Sequence, residues 1–245
     1  MEENILILKE KFEEIKRKGW IKIPRCGYGE AGLFFEKQMG LNNNDFSVAD
    51  FNGIEIKVKN RNSKYPITLF SNTCDGPDFY EIKRIVQKYG MRDLNYKNAK
   101  VLFITLSCNK FSNWGRYLKM KLHIDEKRQR LYILITHANG KIIEKRAFWD
   151  FSTLKETLNR KLEFLCYVTS DSIFSHGMHF IKYSDCCFSK LKSFDKFIYL
   201  LKKGEIVVNI KCGIYKHGPK AGKPYDHGTA FQINKMSLFE LYDLL

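Results

Sequence analysis

A mixed α/β (α+β) fold built around a central sheet is predicted by three features of the sequence. Period-2 alternation recurs in short runs, of which Ile54-Glu55-Ile56-Lys57-Val58-Lys59 is the sharpest. Segments with helical apolar spacing are interspersed among those runs, as in Ile5, Leu8, Phe12 and Ile15. No internal repeat, low-complexity tract or Pro/Gly/Ser-rich linker interrupts the mixture. At 245 residues the chain is long enough for one large domain or two small ones with a sizeable core.

In chain order, a first amphipathic helix spans about 3–18 and stops at Gly19. Gly27, Gly29 and Gly32 then spell G-x-G-x-x-G before a helical run at 33–39. A dinucleotide loop would need a second hydrophobic strand ending in an acid, but the stretch from Leu41 to Ala49 ahead of Asp50 is polar. The glycines are read instead as allowing a tight turn or close approach to a phosphate. After the alternating strand come a strand at 66–71 and a helix at 78–89. Strands follow at 100–107, 116–124, 130–137 and 141–148, the last two joined by an Asn139-Gly140 hairpin turn. Ser152 or Thr153 caps a helix reaching Leu162, with Glu156 completing a Thr153 capping box. Strands at 163–169 and 178–183 precede a helix at 190–203 stopped by Gly204. A last ribbon places Ile206, Val208, Ile210, Cys212 and Ile214 on one face and Val207, Asn209, Lys211 and Tyr215 on the other. A basic, Gly-rich loop (217–228) and a strand at 229–234 complete it.

Charge narrows the partners. Lys plus Arg number 42 against 27 acidic residues, a formal net charge of +15, which points to a polyanion. No apolar run approaches the ~18 residues of a membrane span, and MEENILILKEK lacks a signal-peptide pattern. Nucleic acid is therefore favoured over a membrane surface, and a cytoplasmic protein is expected. Seven cysteines, an odd count without a Cys-x-x-Cys pair, fit reduced thiols. His176, His179, Cys186 and Cys187 have no standard zinc spacing.

The chemistry concentrates around the alternating strand. Glu55 and Lys57 project from the same face, about 7 Å apart along it. Asn52-Gly53 is turn chemistry, so Asp50 can fold back toward Glu55. Two carboxylates converging beside an ammonium make a hard-cation site suited to Mg²⁺ and to water attack on a phosphate. Glu36, on the preceding helix, is a candidate to face the same site. A Glu-x-Lys on a strand is by itself most often a solvated pair. In the ribbon, a polar face with a basic tip can enter a DNA groove, against the plainer reading of an exposed hairpin kept soluble by lysines. His217 and His227 stand as candidates for metal or base roles with no local support.

Longer patterns resemble a known family. Gly29-x-x-Gly32-x-x-Phe35-Glu36 followed by Ala49-Asp50-Phe51-x-x-Ile54-Glu55-Ile56-Lys57 is similar to the active-site region of the MvaI/BcnI restriction endonucleases, relatives of the MutH nicking endonucleases. Gly213-x-Tyr215-x-x-Gly218, Gly222-Lys223 and Asp226-His227-Gly228-Thr229-Ala230-Phe231-x-Ile233-Asn234 also resemble this family and are more specific than Glu-x-Lys. Phe148-Trp149-x-Phe151-x-x-Leu154 through Lys161-Leu162 extends the match, while 75–125 matches poorly.

The resemblance implies a PD-(D/E)xK nuclease core, a mixed sheet flanked by helices, and a C-terminal DNA-recognition lobe, divided near residue 150. It implies a monomeric type II restriction endonuclease that cuts double-stranded DNA with Mg²⁺, paired with a companion methyltransferase. Asp50 and Glu55 would hold the metal, with the Ile56 carbonyl a possible extra ligand. Lys57 would position water or stabilise phosphate charge, and Glu36 would be an accessory carboxylate. Asn209, Lys211, Tyr215, His217, Lys220, Lys223, Tyr225, Asp226, His227 and Gln232 are the expected DNA-binding residues. The family carries Asp and Arg where this chain has Asn209 and Lys211, Arg at Gln232 and His at Tyr225. The expected site therefore differs from the CCWGG or CCSGG associated with the family, Gln232 suiting adenine better than guanine. A MutH-like nicking enzyme and a catalytically silent DNA-binding module are the alternatives.

Overall fold

Apolar periodicity is the main determinant of the elements in the computed structural model, which describes residues 1–24, 29–41, 47–78 and 80–245, the side chains of 226–228 excepted. The elements, in order, are α1 (Glu2–Arg17), β1 (Ile21–Ile23), α2 (Glu30–Gln38), β2 (Ile54–Asn60), β3 (Ile67–Ser71), α3 (Glu81–Tyr89), β4 (Met91–Arg92) and β5 (Lys100–Leu106). Then come β6 (Ser112–Trp114), β7 (Leu118–Asp125), β8 (Arg130–His137), β9 (Ile142–Asp150), α4 (Phe151–Leu162), β10 (Phe164–Ser175) and β11 (Met178–Leu191). The chain ends with α5 (Phe194–Lys203), β12 (Ile206–Ile214), β13 (Pro224–Ile233), α6 (Leu238–Leu241) and β14 (Tyr242–Leu244). The mixed α/β class predicted from patterning is the one observed.

Two compact units share these elements. The first gathers Met1–Ile67, Glu156–Ser193 and Lys235–Leu245; the second gathers Thr68–Lys155 and Phe194–Asn234. They differ from a single division near residue 150, and strand pairing gives the reason. β2 pairs in parallel with β10, from Phe164↔Ile54 to Ser170↔Asn60. Parallel neighbours need a crossover, and here the crossover holds the whole Thr68–Lys155 segment.

In the first unit the sheet runs β1-β11-β10-β2, with β14 added alongside β11. Leu8, Phe12 and Ile15 of α1, Phe35 of α2 and Met39 just after it pack with Ile54, Ile56, Val168, Ile181 and Tyr183. Each such side chain, fully buried, contributes roughly 1.5–3 kcal/mol. Tyr183 ties the layers together, its hydroxyl donating to the Ala31 carbonyl at 2.9 Å. In the second unit one sheet runs β3-β13-β12-β5-β4 and another β6-β7-β8-β9. Phe231 centres its core, stacked on Phe70 at 4.6 Å and edge-on to Trp149 at 5.5 Å. No helix among the described residues is long and apolar enough to cross a membrane.

Three local expectations are corrected. β9 runs directly into α4, so Thr153 lies inside the first turn and its hydroxyl bonds Asp75 instead of forming a capping box. Residues 184–191 extend β11, and 190–193 are not helical, because Ser189 and Lys190 pair with β10 and Ser189–Leu191 pair with the distant β14. β13 begins at Pro224, where the predicted loop was to continue, since Gly213↔Tyr225 and Ile214↔Pro224 prolong the ladder.

Candidate active site and reading ribbon

Asn52 (φ 43°) and Gly53 (φ 88°) both have positive φ. Phe51 and Ile54 exchange both backbone hydrogen bonds across them, at 3.0 and 2.7 Å. This is the two-residue turn that Asn-Gly favours, and it folds Asp50 back alongside β2. Asp50 Oδ2 then accepts the Ile56 N–H at 2.8 Å. β2 is the edge strand on this side. The N–H and C=O of one strand residue point the same way, so the Ile56 carbonyl opens onto the edge where Asp50 sits.

Glu55 projects from the opposite side of β2 to the Ile54–Ile56 core face and is only 1 % exposed. Its Oε1 contacts the Lys57 ammonium, as period-2 spacing predicts, and lies 3.5 Å from Lys161 Nζ. Its Oε2 is buried with no hydrogen-bond partner. Burial pushes the Glu55 carboxyl above its usual range, opposed mainly by Lys57 and reinforced by Asp50. Glu36 on α2 joins the same electrostatic group: burial, then Asp50, raises its carboxyl, with Lys57 opposing. Asp50, Glu55, Lys57 and Glu36 are thus brought together, all within the first unit.

Lys161 was not singled out from the sequence. It is 9 % exposed on α4 and also donates to the Val48 carbonyl at 3.4 Å. Its neighbour Arg160 donates to the Ser47 carbonyl at 3.0 Å and lines, with Asp50, Asn52 and Gly53, an open groove of about 630 Å³. A buried lysine in an otherwise amphipathic helix was the available signal, but its partner lies more than a hundred residues earlier.

Among the described residues no three His, Cys, Asp or Glu side chains form a metal-holding group. The fit for a cation rests on the Asp50 and Glu55 carboxylates, the latter with its Oε2 unpartnered, and on the Ile56 carbonyl. Such an oxygen-only set suits a hard divalent ion.

The ribbon of β12 and β13 belongs to the second unit. Asn209 and Lys211 are half-buried on its polar face, while Tyr215, His217, Lys220 and Lys223 are exposed. Tyr225 meets Tyr215 edge-on at 5.1 Å, and Lys220 lies over the Tyr215 ring at 5.7 Å. Gly213 makes room for Tyr225: a Cβ there would fall 2.5 Å from its ring. Gln232 differs from the rest. It is 2 % exposed, its Nε2 donates to Thr68 Oγ1 at 3.0 Å, and its Oε1 accepts from Asn209 Nδ2 at 3.2 Å. Its amide is engaged by these two bonds inside the sheet. The Asp226 and His227 side chains, and Gly27 of the glycine motif, lie outside the described residues.

The profile of the MvaI/BcnI restriction endonuclease family matches residues 9–242. Among solved structures, the restriction endonuclease MvaI–cognate DNA substrate complex is similar with a TM-score of 0.92 at 27 % identity, over 100 % of this chain and 98 % of that one. The restriction endonuclease MvaI in the absence of DNA matches over the same shares at 27 % identity with a TM-score of 0.64. No curated protein sequence matches. With the family's profile spanning nearly its whole length and its fold shared with MvaI, the chain belongs to the MvaI/BcnI restriction endonuclease family, and is a type II restriction endonuclease.

Proposed function

We propose that this chain hydrolyses phosphodiester bonds at a short, specific site in double-stranded DNA, with Mg²⁺ held by Asp50, Glu55 and the Ile56 carbonyl. The observation that carries this reading is the Glu55 carboxylate, buried beside two lysines with Oε2 left unpartnered. A buried acceptor without a donor is costly, and a divalent ion removes that cost, as restriction endonucleases generally use one. When bound, the ion supplies charge neutralisation at the phosphate and a water of lowered pKa. Lys57, anchored on Glu55, holds positive charge where in-line hydrolysis builds negative charge. Glu36, with its carboxyl raised by burial and by Asp50, takes up a proton more readily than an ordinary carboxylate. Lys161 keeps the Glu55 carboxylate oriented, and Arg160 offers a cation at the rim of the groove for a neighbouring phosphate.

The polar face and tip of the ribbon read the sequence: Asn209, Lys211, Tyr215, His217, Lys220, Lys223, Tyr225, Asp226 and His227. The exposure of the tip residues and the +15 charge support this assignment. With one such set among the described residues, a monomer cuts one strand at a time. A companion methyltransferase of matching specificity would protect the host's own sites.

The test is cleavage of a random duplex library with Mg²⁺, followed by sequencing of the ends. Double-strand ends at one short motif, lost on chelation and restored by Mg²⁺, are expected. Scattered ends, or binding without cutting, would overturn the reading; persistent single nicks would replace it by MutH-like nicking.

A further inference from the structure

Val207 pairs with Gln232 and Asn209 with Ala230 across the ribbon, and β3 lies on the far side of β13. Thr68, Gln232 and Asn209 therefore run as a row across three neighbouring strands, linked by the 3.0 and 3.2 Å hydrogen bonds. Both ends of the row, Thr68 and Asn209, are half-buried, and the residue in the middle is only 2 % exposed. An amide that far from water keeps its bonds, because breaking them strands polar groups in the interior.

We infer that Gln232 does not read DNA but is a positioning residue, fixing the Asn209 amide so that Oδ1 faces outward as an acceptor. Gln232 Nε2 is committed to Thr68, which leaves Oε1 facing Asn209 and turns Asn209 Nδ2 inward. An outward acceptor in the major groove matches an exocyclic amino donor: N4 of cytosine or N6 of adenine. It rejects guanine and thymine, which offer acceptors at the corresponding edge. The Asn209 amide thereby acts as an acceptor although it also carries a donor. This inference rests on the reading that the ribbon faces DNA.

The experiment is library cleavage by the full-length wild type, Asn209→Ala, Gln232→Leu, Gln232→Glu and Thr68→Val, each checked for an unchanged melting transition type. For the wild type, one position of the site should require cytosine or adenine. Asn209→Ala and Gln232→Leu should lose that discrimination by roughly 5- to 150-fold, the range of one base contact, while the rest of the site is kept. Gln232→Glu keeps an acceptor facing Asn209 Nδ2, so the same base preference should survive; Thr68→Val should weaken it. If Asn209→Ala leaves the site unchanged, the ribbon reading itself fails. If Asn209→Ala relaxes the site but Gln232→Leu does not, Gln232 is not the positioning residue. A wild type that requires guanine or thymine at that position, switching to cytosine or adenine in Gln232→Glu, would show that the native row runs the other way, with Asn209 presenting its donor, and would overturn the inference. Should Gln232→Leu fail to fold, Gln232→Glu and Thr68→Val still decide it.

Discussion

The proposed catalytic strand and the proposed reading ribbon are both β structure with an alternating polar face, yet their polar groups are organised differently. At β2 the essential contacts are local: Asp50 reaches Ile56 across one turn, and Lys57 reaches Glu55 two residues away. In the ribbon the decisive contact of Gln232 is with Thr68, 164 positions away in sequence. A local constellation keeps its geometry because few torsions separate its members, whereas a distant one depends on which strands become neighbours. A polar residue on an alternating strand thus has a predictable role in one place and an unexpected one in the other.

Substitutions at the catalytic strand should give the largest effects. Glu55→Ala, and likewise Asp50→Ala, should lower cleavage by on the order of 10³-fold or more, with DNA affinity nearly unchanged. Gel-shift and single-turnover assays on folded protein check this; near-normal cleavage would remove the residue from the mechanism.

Lys161 tests whether the catalytic region is as local as it looks. Lys161→Met keeps the aliphatic stem but leaves Glu55 with Lys57 alone. Cleavage should fall by roughly 10²-fold, as for loss of one electrostatic donor. An unchanged rate would mean that the local pair suffices and Lys161 only supports packing.

The ribbon should respond more mildly. Lys211→Ala should relax the preference for a purine acceptor by about 1–3 kcal/mol at one position. If Lys211 instead contacts a phosphate, affinity should fall uniformly and the log–log salt slope should shrink by about 0.9. An unaltered salt slope and unaltered site together would place Lys211 away from DNA.

The smallest effect sharpens the electrostatics of β2. Glu36 and Glu55 have carboxyls raised above 4.5 in the folded state. Ionisation is therefore disfavoured on folding: the stability these groups contribute is fully present below pH 4.5 and is lost as pH rises through the raised value. With both acting ionised in the proposed mechanism, activity should decline on acidification sooner than for ordinary carboxylates. Glu36→Gln should raise metal-free stability at neutral pH by no more than about 1 kcal/mol and flatten its dependence on pH. A lower melting temperature for this variant would show that Glu36 is held by its cationic neighbours more than it is penalised by burial.

Much of this was legible in the chain. Period-2 alternation at 54–59 and Asn52-Gly53 determine a strand preceded by a tight turn, and hence the meeting of Asp50, Glu55 and Lys57, because each relation spans only a few residues. The first helix, the 130–137 strand and the Asn139-Gly140 hairpin were equally readable, since apolar period and turn chemistry are local properties. Partner choice was not. Pairing with β14 keeps 189–191 in a strand that local pattern gave to a helix, and Asp75 takes the Thr153 hydroxyl expected to cap α4. The parallel pairing of β2 with β10 decides which segments share a unit, and brings the C-terminal part of α4, with Lys161, over Glu55. The burial of Gln232 was likewise decided only by tertiary structure: its polar identity suggested solvent, while the neighbouring strands supply a donor and an acceptor that satisfy it inside the sheet.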